Sequence, residues 1–200
     1  VTAITKTTEK IVDGAIRAVG RYGVRKFSMS DVYTEAGVSR GTLYRYFKSK
    51  EQVLEAVGEH VERTLHTALD DAVSAQPEPE NRLEIVLQAL LDYRTTHPEI
   101  MRIVESEPSV VLDLLSREFN RLLAVVSDAL DPVLRDAPPV RDGTLTKRQL
   151  AEMFIRLTLS VYLVPSAGSD ATAERVASLW KSMTAAAGSS SGRSRTRAAG

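Results

Sequence analysis

Glycines and helix-capping hydroxyls alternate through the first fifty residues so closely that only short helices fit between them. Gly23 and Gly37 are stop signals, suited to the left-handed turn that ends a helix. Ser28 with Asp31, Ser39, and Ser49 with Gln52 are start signals of capping type, Asp31 replacing the more usual Glu or Gln. The spacing predicts a first helix from about Thr8 to Tyr22, burying Ile11, Ala15, Ala18, Val19 and Tyr22 on one stripe. A second helix of about two turns starts at Ser28 and ends at Ala36. A third runs from Ser39 to near Phe47, and a fourth opens at Ser49 and runs towards Ala72. Nothing in the chain shows the sustained alternation and hairpin turns of a sheet, so the fold is expected to be all-α.

Beyond the fourth helix, Pro77 and Pro79 break the pattern. Helices are expected near 82–96, 99–105, 109–134, 146–164 and 171–187, punctuated by Pro98, Pro108, the Pro138–Pro139 pair with Gly143, and Gly168. From Gly188 the Ser-, Gly- and Arg-rich tail lacks the apolar residues of a core and is expected to be disordered. The fourth helix is too long to belong wholly to the first unit. The predicted division is 1–55, 56–187 and a basic tail 188–200. At 200 residues with 43% hydrophobic content, the chain can bury a core.

Charge separates the parts more sharply than hydropathy does. The total is zero, but residues 1–50 hold ten basic and four acidic side chains, residues 51–187 thirteen and twenty-two, and the tail three arginines. A head of net +6 on an acidic body is the electrostatic footprint of a polyanion-binding module. With no cysteine, disulfides, thiolate metal sites and thiol nucleophiles are excluded. His60 and His66, six apart, fall on different faces of a helix, and neither a Gly-rich phosphate loop nor a nucleophile elbow is present. No enzyme, metal site or cofactor is therefore expected. No apolar run approaches the roughly 18 residues of a membrane span, and the start lacks a secretory signal's apolar stretch, so a cytoplasmic location without membrane association is expected.

Two short helices joined by Gly37-Val38-Ser39 have the spacing of a helix-turn-helix, whose second helix enters the major groove of DNA. Val32, Ala36, Val38, Leu43 and Phe47 point to the first helix. Arg40, Gly41, Thr42, Tyr44, Arg45 and Tyr46 are left largely outward, a face with two arginines, two tyrosines and no acid. Arginine bonds guanine bidentately, threonine meets a thymine methyl, and tyrosine hydroxyls hold phosphates. Gly41 leaves room for close approach to the groove floor. Lys48 and Lys50, beside the free amides of the fourth helix, are placed to clamp a flanking phosphate.

The run Ser28-Met-Ser-Asp-Val, followed by Glu35-Ala-Gly-Val-Ser-Arg-Gly-Thr-Leu-Tyr-Arg-Tyr-Phe-Lys-Ser-Lys-Glu51, closely resembles the amino-terminal domain of TetR-family transcriptional regulators, over roughly residues 8–57. Tyr33 departs from the small alanine usual there. The resemblance implies a three-helix DNA-binding head followed by a larger helical domain for ligand binding and dimerisation. It implies base contacts at Arg40, Gly41, Thr42 and Arg45, and backbone contacts at Ser28, Tyr44, Tyr46 and Lys50.

Reading a palindromic operator in double-stranded DNA requires two heads about 34 to 36 Å apart, hence a homodimer. Leu150, Phe154, Leu157 and Val161 form one candidate interface stripe, and Val176, Ala177, Trp180 and Met183 another. The alternative is that both only close the protomer's own core. The implied effector pocket would draw on an apolar lining, favouring an apolar or amphipathic small molecule, with Tyr93, Arg94, His97, Arg156 and Tyr162 as its candidate polar groups. The expected function is a ligand-responsive repressor. An activator of the same fold, and a small-molecule binder with a degenerate head, are the alternatives.

Overall fold

The computed structural model describes residues 2–106, 108–164, 168 and 171–195. Over these residues the chain is helical, with no strand. The helices are α1 (Thr2–Tyr22), α2 (Met29–Ala36), α3 (Arg40–Tyr46), α4 (Lys50–Ala75), α5 (Arg82–Thr96), α6 (Pro98–Ser106), α7 (Pro108–Asp136), α8 (Pro138–Arg141), α9 (Lys147–Leu163) and α10 (Thr172–Arg195), with a 3₁₀ turn at Pro79–Asn81. The chain divides into two compact units, one of residues 1–65 and 94–119, the other of 66–93 and 120–200.

The punctuation works as the residues suggest. Gly23 takes φ 82° and Gly37 φ 59°, the left-handed region where only glycine is unstrained. Ser28 and Asp31 form a reciprocal capping box on α2, and the Ser39 hydroxyl accepts the amide of Thr42 at 3.0 Å. Ser49 also caps α4, accepting the Gln52 amide at 3.4 Å. The other half of that box is displaced by one residue, since Gln52 Oε1 accepts the amide of Lys48 at 2.7 Å. Further on, Thr146 and Gln149 form a capping box on α9, and Pro98 begins α6.

Several expectations need adjusting. Helix α1 begins at Thr2, six residues earlier than predicted, and its last tyrosine, Tyr22, is 40% exposed. The Pro138–Pro139 pair, read as a break, starts the short helix α8 because proline is tolerated in a first helical turn. Helix α10 runs to Arg195, past the predicted end at 187. The last part of the tail expected to be disordered, 196–200, lies outside the described residues.

The first unit's core is built from α1 to α4. Ile11, Val12, Ala15, Ile16, Ala18 and Val19 of α1 pack with Phe27, Val32, Leu43, Phe47 and Val53, all buried. Val38 and Tyr33 are partly buried at its edge, so the larger side chain at position 33 is accommodated as packing surface. The crossing of α1 and α2 is close: a Cβ on Gly14 would lie 2.5 Å from both the Cβ and the backbone nitrogen of Ala36.

The second unit buries Leu83, Val86, Leu87, Leu123, Val126, Leu130, Leu134, Leu150, Ala151, Ile155 and Ala173, among others. Phe154 of α9 and Trp180 of α10 meet edge to face, with centroids 5.5 Å apart. Asp131 of α7 accepts the ammonium of Lys147, at the start of α9, at 2.7 Å, and also pairs with Arg135.

A candidate nucleic-acid interface on the third helix

Helix α3 is held by its buried side so that its other side is presented outward. Leu43 is fully buried, and Phe47 closes the helix end with its amide on the Leu43 carbonyl at 2.9 Å. Arg40, Gly41 and Arg45 are exposed, and Thr42, Tyr44 and Tyr46 partly so. The Arg40 guanidinium carbon lies 5.5 Å from the centre of the Tyr44 ring, and that of Arg45 lies 5.1 Å from Tyr46. Stacking of this kind restrains a long side chain while leaving most of its donors free, although Arg45 also donates to the Tyr46 hydroxyl at 3.5 Å.

The other predicted contacts have additional duties. The Ser28 hydroxyl donates to Asp31 at 2.7 Å and accepts the Asp31 amide, so it is engaged as a cap. The Thr42 hydroxyl bonds that of Ser39 at 2.8 Å. Lys48 donates to the Tyr44 carbonyl, which closes the end of α3. Lys50 donates to the carbonyl of Arg25 at 3.0 Å while its ammonium sits 4.2 Å from the centre of the Phe27 ring.

Part of the head's positive charge is structural, which residue counting does not show. From α1, Lys10 donates to the Gly37 carbonyl at 3.3 Å and Arg17 to the Glu35 carbonyl at 2.7 Å. Arg21 pairs with the Glu35 carboxylate at 3.2 Å. These cations meet the negative end of α2, where the last carbonyls lack helical partners. The signal available in the sequence was their spacing of seven and four residues, which keeps them along one side of the first helix.

This arrangement, two short capped helices braced by a third, coincides with a match of residues 11–57 to the bacterial regulatory proteins of the tetR family. The head, residues 11–57, is of the tetR family. Among relatives, the chain is 33% identical over 82 residues to the nucleoid occlusion factor SlmA of Haemophilus influenzae strain PittGG, covering 41% of this chain and 38% of that protein. It is 28% identical over 122 residues to the SlmA of Photobacterium profundum, covering 60% and 62%. The chain thus spans less than two thirds of the length of these relatives. Its fold matches a TetR transcription regulator from Haloarcula marismortui at TM-score 0.67 and 19% identity, over 90% of this chain and 98% of that one. It also matches FadR from Bacillus subtilis, solved in complex with stearoyl-CoA, at TM-score 0.66 and 16% identity, over 86% and 96%.

The candidate ligand residues are dispersed. Tyr93 is buried in the second unit, where the Tyr162 hydroxyl donates to the Leu90 carbonyl. Arg156 is exposed and pairs with Glu152 at 2.6 Å. Arg94 and His97 belong to the first unit, and His97 Nδ1 lies 3.0 Å from the Thr96 hydroxyl.

The candidate interface residues split into two sets. Leu150, Phe154, Val161 and Ala177 are buried within the protomer, and Val176 and Trp180 are partly buried. Leu157 and Met183 are 43% and 59% exposed, and beside them Met153 and Leu179, absent from the predicted stripes, are 57% and 62% exposed. The exposed apolar side chains of α9 and α10 therefore lie beside the inward stripe. Among the described residues no helix is long and apolar enough to cross a membrane, and no group of three or more His, Asp or Glu side chains could hold a metal ion.

Proposed function

We propose that this protein is a homodimeric transcriptional repressor that holds a palindromic operator through α3 and releases it on binding a small apolar or amphipathic effector. In this reading residues 1–55 hold the DNA, and 56–187 carry the effector and the dimer contact. Arg40, Gly41, Thr42 and Arg45 read bases, and Ser28, Tyr44, Tyr46 and Lys50 touch the backbone.

The observation that carries the reading is Gly41. Its neighbourhood is open, the nearest atom to a Cβ built there being the Ser39 hydroxyl at 3.8 Å. A helical glycine costs up to about 1 kcal/mol relative to alanine, and nothing in the fold requires one here. Close approach of a partner to that surface does. Gly41→Ala should leave the thermal midpoint unchanged or raised while reducing operator affinity at least tenfold in fluorescence anisotropy. Unchanged affinity would remove the argument.

The acyl-CoA bound in the Bacillus subtilis structure supports an amphipathic effector. For the dimer, the apolar face of Met153, Leu157, Leu179 and Met183 offers the contact. A ligand dislodges the repressor only by its differential affinity for the released form, so saturating effector must lower operator affinity, not merely bind.

The identity to the nucleoid occlusion factors favours a second reading, in which the same head binds chromosomal sites unrelated to promoters. Genome-wide occupancy separates the two, since clustering at promoters supports the repressor and promoter-independent spread supports the alternative.

A further inference from the structure

The ten cations of residues 1–50 sort into three groups. Lys10, Arg17, Arg21, Lys48 and Lys50 bond other parts of the chain, and Arg40 and Arg45 lie over tyrosine rings. Lys6, Arg25 and Lys26 remain, their side chains without a hydrogen-bond or ion-pair partner among the described residues. Arg25 and Lys26 are adjacent, exposed and on the turn between α1 and α2.

That turn is rigidly seated. The amides of Lys26 and Phe27 both donate to the Gly23 carbonyl, at 3.2 and 3.0 Å, and Gly23 itself has the left-handed conformation. Phe27 is buried at the turn's far end. Lys50, the first residue of α4, grips it twice, through the Arg25 carbonyl and over the Phe27 ring. Two like charges side by side repel one another, and fixing their backbone keeps them together rather than letting them separate. Such a pair is stabilised by an anion that meets both.

We propose that the Arg25–Lys26 turn is a second contact to the DNA phosphate backbone, separate from the base-reading face of α3, and that Lys50 is the positioning residue that holds the turn. The assignment rests on the DNA-binding reading above and adds a sequence-independent component to it. Its charges neutralise phosphates and release counterions, which raises affinity on any duplex equally.

The test uses the full chain, a duplex enriched by it from a random pool, and a scrambled duplex of the same composition, titrated by anisotropy across a salt series. Arg25→Gln/Lys26→Gln should weaken binding to both duplexes by the same factor. The slope of log affinity on log salt should become shallower by about two, roughly 0.9 per phosphate. Preference for the enriched duplex and the thermal midpoint should not change. Lys50→Met should weaken binding in the native background, and by less in the Arg25→Gln/Lys26→Gln background, where only its own phosphate contact remains to be lost. An unchanged slope in the double variant overturns the turn contact and leaves base reading intact. An additive Lys50→Met effect overturns the positioning role. Failure of the wild-type chain to enrich any duplex overturns both this proposal and the function it rests on.

Discussion

Gly14 and Ala36 set the distance between α1 and α2. With 2.5 Å between a Cβ at position 14 and both the Cβ and nitrogen of Ala36, the added methyl meets backbone that cannot swing aside. Gly14→Ala should therefore destabilise the first unit by about 1–3 kcal/mol, the usual cost of overpacking, despite its gain in helix propensity. Chemical denaturation would detect this as a lower midpoint, and an unchanged midpoint would mean the crossing relaxes. The same substitution at Gly41 meets open space, so the two glycines, both helical, should respond oppositely in stability. The sequence shows both as glycines inside short helical patterns, and only the neighbouring helix distinguishes them. Tyr22 teaches a similar lesson, for its position on the apolar stripe is right and yet the stripe runs out of partners one residue before Gly23.

Among the elements, α2 and α3 were legible almost to the residue because their limits are local, set by Ser28, Gly37 and Ser39 acting on the next three or four amides. In α9 and α10 the inward face was harder to read than the limits. Two apolar stripes lie side by side on each, and which one faces inward depends on helices far away in the sequence. Phe154 and Trp180 close the core, so Phe154→Ala should cost about 3–5 kcal/mol in unfolding measurements. Met153→Glu/Leu179→Glu alters the outward face, and should leave the unfolding of the protomer nearly unchanged while shifting sedimentation equilibrium from dimer to monomer. A dimer that survives would place the interface elsewhere. The tie between α7 and α9 has a pH signature. Hydrogen bonds from Lys147 and then Arg135 hold the Asp131 carboxyl below its ordinary range near 4. Its folded-state value is lowered, so its stabilisation is present above the unfolded-state value and is lost as pH falls through the folded one. Asp131→Asn should lower stability slightly at neutral pH, and the difference from the native protein should disappear as pH falls below about 4, which flattens the acid limb of the stability curve.

For the whole molecule, net charge was a poor guide and its distribution a good one. The basic head was visible by counting residues, but counting could not show that Lys10, Arg17, Arg21, Lys48 and Lys50 are engaged within the head. The five remaining cations together with Lys50 limit the salt slope of operator binding to about −5.4 per head, against about −9 for all ten. A steeper slope would show that engaged cations change partners on DNA. The ligand residues were the least legible, because an all-helical body offers apolar stripes everywhere and polar groups that satisfy one another locally, as Arg156 does with Glu152. The bracing of α2 by α1 also bears on engineering. The carbonyls of Glu35 and Gly37 take their donors from Arg17 and Lys10, and Val32 and Leu43 find their packing partners on the same helix. Residues 28–47 grafted alone onto a foreign scaffold would arrive with an uncapped end and an unsupported underside, so the smallest portable reading head begins with α1.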